Sequence, residues 1–135
     1  MRQVYIDENL SPGLVPPLSA VYRRDVQFRS WQQENQGGAL DLDLIPYLGD
    51  RGFDLIVTKD HAQIDINPAE RAALATAGLS WVGVPELDER GARLIAEQLA
   101  VVLPAIGAIM HSWPSQPTAY RLASRGSVFE SQEPL

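Results

Sequence analysis

A chain of 135 residues, 45% hydrophobic and 21% charged, has the length and composition of one globular domain with its own core, not of a disordered polymer. Its net charge of −6 argues against binding nucleic acid through a general basic field, and the absence of cysteine removes disulfides and thiolate metal sites. No unbroken apolar run reaches the roughly 18 residues of a membrane span, because Glu97, Gln98 and Pro104 interrupt Leu94 to Met110.

In chain order, Gln3-Val4-Tyr5-Ile6 is a short β-favouring run that stops abruptly at Asp7-Glu8-Asn9. Ser11-Pro12 has the form of a helix cap followed by proline, and Pro16 and Pro17 are expected to limit or kink the helix behind it. Asp25 to Arg29 alternates polar and apolar residues as a half-buried strand does, and Gln32 to Gly38 is a polar loop. Apolar residues at 40, 44, 45 and 48 predict a helix over Leu40 to Arg51, stopped by Gly52. Asp54 to Thr58 has the continuous apolar centre of a central parallel strand.

Asn67-Pro68-Ala69-Glu70 predicts a helix start with a capping glutamate, and that helix ends near Gly78. Leu79 to Val84 is the next strand. A long helix is expected from Asp88 or Glu89 to about Met110, bent at Pro104, and Thr118 to Phe129 is expected to form a hairpin across Arg125-Gly126. One domain over residues 1–131 follows, with residues 132–135 frayed. Alternating strands and helices imply βαβ units and a mostly parallel sheet, whose sites form at the carboxyl ends of its strands.

That rule singles out Asp7, Glu8 and Asp60, which close or follow strands, and Asp41 and Asp43 at the start of the second helix. Hard oxygen donors without His or Cys suit Mg²⁺ or Mn²⁺. Each has a plainer reading: turn residue or helix cap for Asp7, Asp60 and Asp41, a solvated first-turn acid for Asp43, a water-facing side chain for Glu8. Convergence raises Asp7 and Asp60 above those readings, and Asp65 is a further candidate. His61 and His111 have no paired spacing, so neither a zinc site nor a Ser-His-Asp triad is expected. Gly37-Gly38 lacks the lysine and spacing of a phosphate loop. Ten of the 11 basic residues are arginines, of which Arg71 is a candidate for holding phosphate.

Ile6-Asp7-Glu8-Asn9-Leu10-Ser11-Pro12, Asp41-Leu42-Asp43-Leu44-Ile45-Pro46, Gly52 to Asp60 and Ile66-Asn67-Pro68-Ala69-Glu70-Arg71 together resemble the PIN-like domains of bacteria. The resemblance is greatest to the branch grouped with VapC-type toxins. It implies a flavodoxin-like three-layer α/β sandwich with a mostly parallel sheet and a C-terminal β-hairpin. It also implies an Mg²⁺- or Mn²⁺-dependent endoribonuclease, the toxin of a type II pair with a cognate antitoxin, acting on RNA as a homodimer. By motif position Asp7, Asp60 and Asp41 would be the metal ligands, and Glu8 belongs to the same signature. A fourth acid shortly after Asp60 is missing unless Asp65 serves. Leu44 stands where this branch tends to carry tryptophan.

Two other readings compete. A PIN-like fold retained as an inactive partner-binding module fits the missing acid. A signalling receiver domain fits the carboxylates but lacks its late lysine, since Lys59 is the only lysine. The opening Met1 to Asp7 has no apolar stretch or cleavage site of a signal peptide, so the expected compartment is the cytoplasm.

Overall fold

The computed structural model describes residues 1–135. Six strands, β1 (Arg2–Ile6), β2 (Val26–Ser30), β3 (Leu55–Thr58), β4 (Ser80–Gly83), β5 (Thr118–Leu122) and β6 (Phe129–Pro134), form one sheet in the order β2-β1-β3-β4-β5-β6. The first five are parallel, and β6 closes the edge antiparallel to β5. The expected α/β architecture with its C-terminal hairpin is therefore the one observed.

Side chains alternate across a strand, so each central strand feeds two cores. Val4 and Ile6, Leu55 and Val57, and Val82 face α1 (Val15–Tyr22) and α5 (Ala92–His111), packing on Leu18, Val102, Ala105 and Ile106. Tyr5, Ile56 and Trp81 face the other layer, α2 (Asp41–Asp50), the single turn α3 (Ala62–Asp65) and α4 (Pro68–Ala77), through Ile45, Leu48, Ile64 and Leu74. Each such fully buried aliphatic contributes about 1.5–3 kcal/mol. Two helical layers around one sheet give the expected sandwich.

Several local expectations are corrected. Ser11 caps a 3₁₀ turn at Pro12–Leu14 through Gly13 N–H, and both Pro16 and Pro17 fall in the first turn of α1. There the missing donors have no intrahelical acceptor to lose, so neither proline interrupts the helix. The long helix starts at Ala92, later than Asp88 or Glu89, because Gly91 takes φ 59°, outside helical geometry. By length and composition α5 passes as a membrane span, although its Val102, Ala105, Ile106 and Ile109 are buried in the domain core.

The tail is also ordered where fraying was expected. Gln132, Glu133 and Pro134 pair with β5, and Leu135 N–H donates to Pro117 O at 3.0 Å. Arg71 and Arg121 both reach Glu133, and Arg71 also donates to Pro134 O. These contacts tie the strand across α4 and β5.

Candidate active site

The strand order reverses between β1 and β3, since β1 continues outward to β2 and β3 continues to β4. This is the crevice in which open α/β sheets place their sites. Ile6 lies in register with Val57, and Asp7 N–H continues the ladder to Val57 O at 3.0 Å. The two-residue period puts Asp7 on the face of Tyr5, and Thr58 on the face of Ile56, so both point toward the α2–α4 layer.

Asp7 is only 5% exposed. One of its oxygens accepts from Thr58 Oγ1 at 2.8 Å, and the other from Glu8 N–H at 2.9 Å. Thr58 Oγ1 in turn accepts from Asp60 N–H and from Asn9 Nδ2, each at 3.0 Å, while Asn9 Oδ1 accepts from Lys59 N–H at 2.9 Å. The loops after β1 and β3 are thus stitched together below the carboxylates. Asp60 Oδ1 accepts from Ala62 N–H at 3.1 Å, so Asp60 also closes the turn that leads into α3, as its turn reading had it.

Asp41 enters from α2. It is the first helical residue and not the cap, which is Leu40 without a side-chain bond. The loop leading into α2 is held by Glu8, whose Oε2 accepts from Gly38 N–H at 2.8 Å. Asp41 interacts electrostatically with Gln63, Glu70 and Asp60 without a hydrogen bond at ordinary distance to any of them, and its charge is also felt at Asp7. Its charge therefore couples to the acid after β1 and to the acid after β3.

The electrostatics follow from crowding in a dry edge. Burial pushes the Asp7 carboxyl above the usual carboxylate range, the bonds from Thr58 and Glu8 N–H hold it back, and the Asp41 and Glu8 charges push further. Asp41 is raised first by burial, against the lowering influence of the Gln63 amide, and then by Asp60. Glu70 is raised by burial and by Asp41 and Asp60, and its Oε2 is buried without a partner.

None of Asp7, Asp41, Asp60 or Glu70 takes part in an ion pair, although arginines pair with Asp54, Glu34, Glu133 and Asp65 elsewhere. As they stand, no three of these groups form a finished coordination set. The electrostatically coupled acids nonetheless supply only hard oxygen donors, one of them a buried oxygen without a partner, and this chemistry fits a small divalent cation. Unneutralised carboxylates repel one another, and a bound cation would relieve that repulsion.

The other candidates lie differently. Asp43 is exposed on the first turn of α2. Asp65 forms a two-pronged pair with Arg121, at 2.5 and 3.1 Å. Arg71 is engaged by the tail. His61 packs edge-on against Trp81, with Nε2 2.9 Å from Val84 O. Sequence reasoning missed Glu70 and Gln63: the first looked like a capping-box glutamate, the second sat in an unassigned loop. Glu70's only available signal was its place in the first turn of a helix destined to pack beside α2.

A family model described as "PIN like domain" matches residues 2–85, which is more than half of the chain and runs from β1 through β4. The chain belongs to the PIN-like domain family. PIN domains are generally nucleases and typically use divalent metals, so the nuclease superfamily is this chain's wider kin. The matched stretch of this PIN-like protein contains Asp7, Asp41, Asp60 and Glu70, whereas α5 and the β5–β6 hairpin lie beyond it. No curated protein and no solved structure matches the chain.

Proposed function

We propose that this PIN-like protein is an Mg²⁺- or Mn²⁺-dependent endoribonuclease, the toxin of a type II toxin–antitoxin pair. The observation that carries the reading is a cluster of carboxylates at the sheet's switch point that no basic side chain of the chain neutralises. Asp7, Asp41 and Asp60 would hold the cation, with Glu70 behind Asp41. A bound divalent ion would supply Lewis-acid polarisation of a phosphate oxygen and a water of lowered pKa. Thr58 and the Glu8 N–H orient Asp7, and Asn9 holds the two ligand loops at fixed separation. Glu8 contributes by anchoring the loop that presents Asp41.

The partners in this reading are RNA as substrate, a cognate antitoxin and a second copy of the chain, in the cytoplasm. The test is to incubate the purified protein with structured RNAs and Mn²⁺. Cleavage that disappears in Asp7→Asn and Asp60→Asn supports the proposal; no cleavage, or cleavage indifferent to both changes, overturns it.

A second reading, a PIN-like partner-binding module without catalysis, is favoured by the lack of a closed three-ligand set. Calorimetric titration with Mn²⁺ separates the two, because a non-catalytic module has no need of tight metal binding.

A further inference from the structure

Gln63 lies on α3, three residues beyond Asp60, and is fully buried. A glutamine amide presents an acceptor on one side and two donors on the other, and its partners decide which side faces which way. Here the decision falls to Trp81, whose indole N–H can only donate and stands 3.1 Å from Gln63 Oε1. The oxygen must therefore face β4, and the NH₂ must face away from it.

Trp81 cannot readily turn to release this arrangement. It is fully buried, it packs edge-on against His61 with ring centroids 5.3 Å apart, and its Cη2 occupies the space beside Gly83 where a Cβ would stand 2.2 Å away. The Gln63 NH₂ is buried without a hydrogen-bond partner, and the acid whose charged form this amide favours is Asp41. A donor in a dry interior is costly unless an acceptor completes it, so this amide has a standing preference for a carboxylate turned toward it.

We infer that Gln63, held in one orientation by the indole of Trp81, is a positioning residue that aims the Asp41 carboxylate for cation binding. The inference rests on the reading of Asp41 as a metal ligand. Trp81, Gln63 and Asp41 then form a line from β4 through α3 to α2, in which a core side chain sets the direction of a ligand it never touches. Outer partners of this kind usually change metal affinity about 10–100-fold when removed.

The test counts free Mn²⁺ by its electron paramagnetic resonance signal during titration of the wild-type chain, Gln63→Met, Trp81→Phe and the double variant, with near-ultraviolet circular dichroism as the check of folding. The expected result is affinity about tenfold weaker in Gln63→Met, also weaker in Trp81→Phe, and no weaker in the double variant than in Gln63→Met alone. A purely structural role for the pair would lower the melting temperature without that coupling in affinity. A folded Gln63→Met that binds Mn²⁺ like the wild type overturns the positioning role, and so do losses that simply add. Should Gln63→Met fail to fold, Trp81→Phe decides by the same criterion. A wild-type chain with no Mn²⁺ affinity removes the metal-site reading itself and this inference with it, an outcome distinct from unchanged affinity in the variants.

Discussion

Thr58 Oγ1 lies 2.8 Å from Asp7 Oδ2, which ties the last residue of β3 to the first residue past β1. The hydroxyl donates to the carboxylate while accepting from Asp60 N–H and Asn9 Nδ2, so one buried oxygen organises both ligand loops. Its bond holds down a carboxyl that burial would otherwise raise further. Thr58→Val keeps the shape and removes the hydroxyl. It should cost about 1–3 kcal/mol through the unsatisfied groups it leaves. It should also move the acid limb of the Mn²⁺-dependent cleavage profile to higher pH, because Asp7 then gives up its proton later. A pH–rate profile superimposable on that of the wild type would contradict this role for Thr58.

Asp7, Asp41 and Glu70 all have carboxyls raised in the folded chain. A raised carboxyl binds its proton more tightly when folded. Its contribution is therefore fully present below the ordinary carboxylate range of about 4 and is lost as pH rises through the raised value. Without metal, the site should destabilise the fold at neutral pH. Asp41→Asn should accordingly melt at a higher temperature than the wild type near pH 7 in the presence of a chelator. The gap should close toward pH 4, and added Mn²⁺ should raise the melting temperature of the wild type selectively.

Glu70 and Asp65 are the two acids that compete for the fourth place. Glu70 has a buried, partnerless oxygen beside Asp41, whereas Asp65 is paired with Arg121 and half exposed. Glu70→Gln should weaken Mn²⁺ binding or cleavage by about 10–100-fold. Asp65→Asn should leave both intact and cost no more than about 1 kcal/mol of stability, the scale of an exposed ion pair. The two variants measured side by side in one calorimetric series give the comparison.

Gly83 is required by a ring and not by a turn. A Cβ there would meet Trp81 Cη2 at 2.2 Å and His61 Cε1 at 2.9 Å, and the fully buried indole has no room to retreat. Gly83→Ala should destabilise the protein by about 1–3 kcal/mol, as overpacking a core does. By tilting the indole it should also loosen the Gln63 amide, so Mn²⁺ affinity should fall along with stability. Urea denaturation together with Mn²⁺ titration reads both effects.

What was legible in the sequence depended on distance along the chain. Asp7 and Asp60 could be singled out because each directly follows an apolar strand, and the parallel pairing of such strands brings their ends to one edge. Asp41 needed only the helical spacing of Leu44, Ile45 and Leu48 to be placed at a helix start. Glu70 could not be separated from a capping glutamate, because its role depends on the packing of α4 against α2 and on nothing local. α3 is a single turn, too short to show a helical period, and it carries Gln63, whose hydrogen-bond partner Trp81 lies 18 residues on. The β6 strand is polar and exposed in its middle, so no alternation marks it; Arg71 and Arg121 hold it in place from elements far away in sequence.

The most direct measurement is to locate Mn²⁺ by its anomalous scattering in crystals of the protein grown with that ion. A peak within about 2–2.5 Å of carboxylate oxygens from Asp7, Asp41 and Asp60, lost in Asp60→Asn crystals, is the result expected of three strand-end and helix-end acids sharing one cation. An empty edge at saturating Mn²⁺, or an ion held instead by Glu86, Asp88 and Glu89, would contradict it.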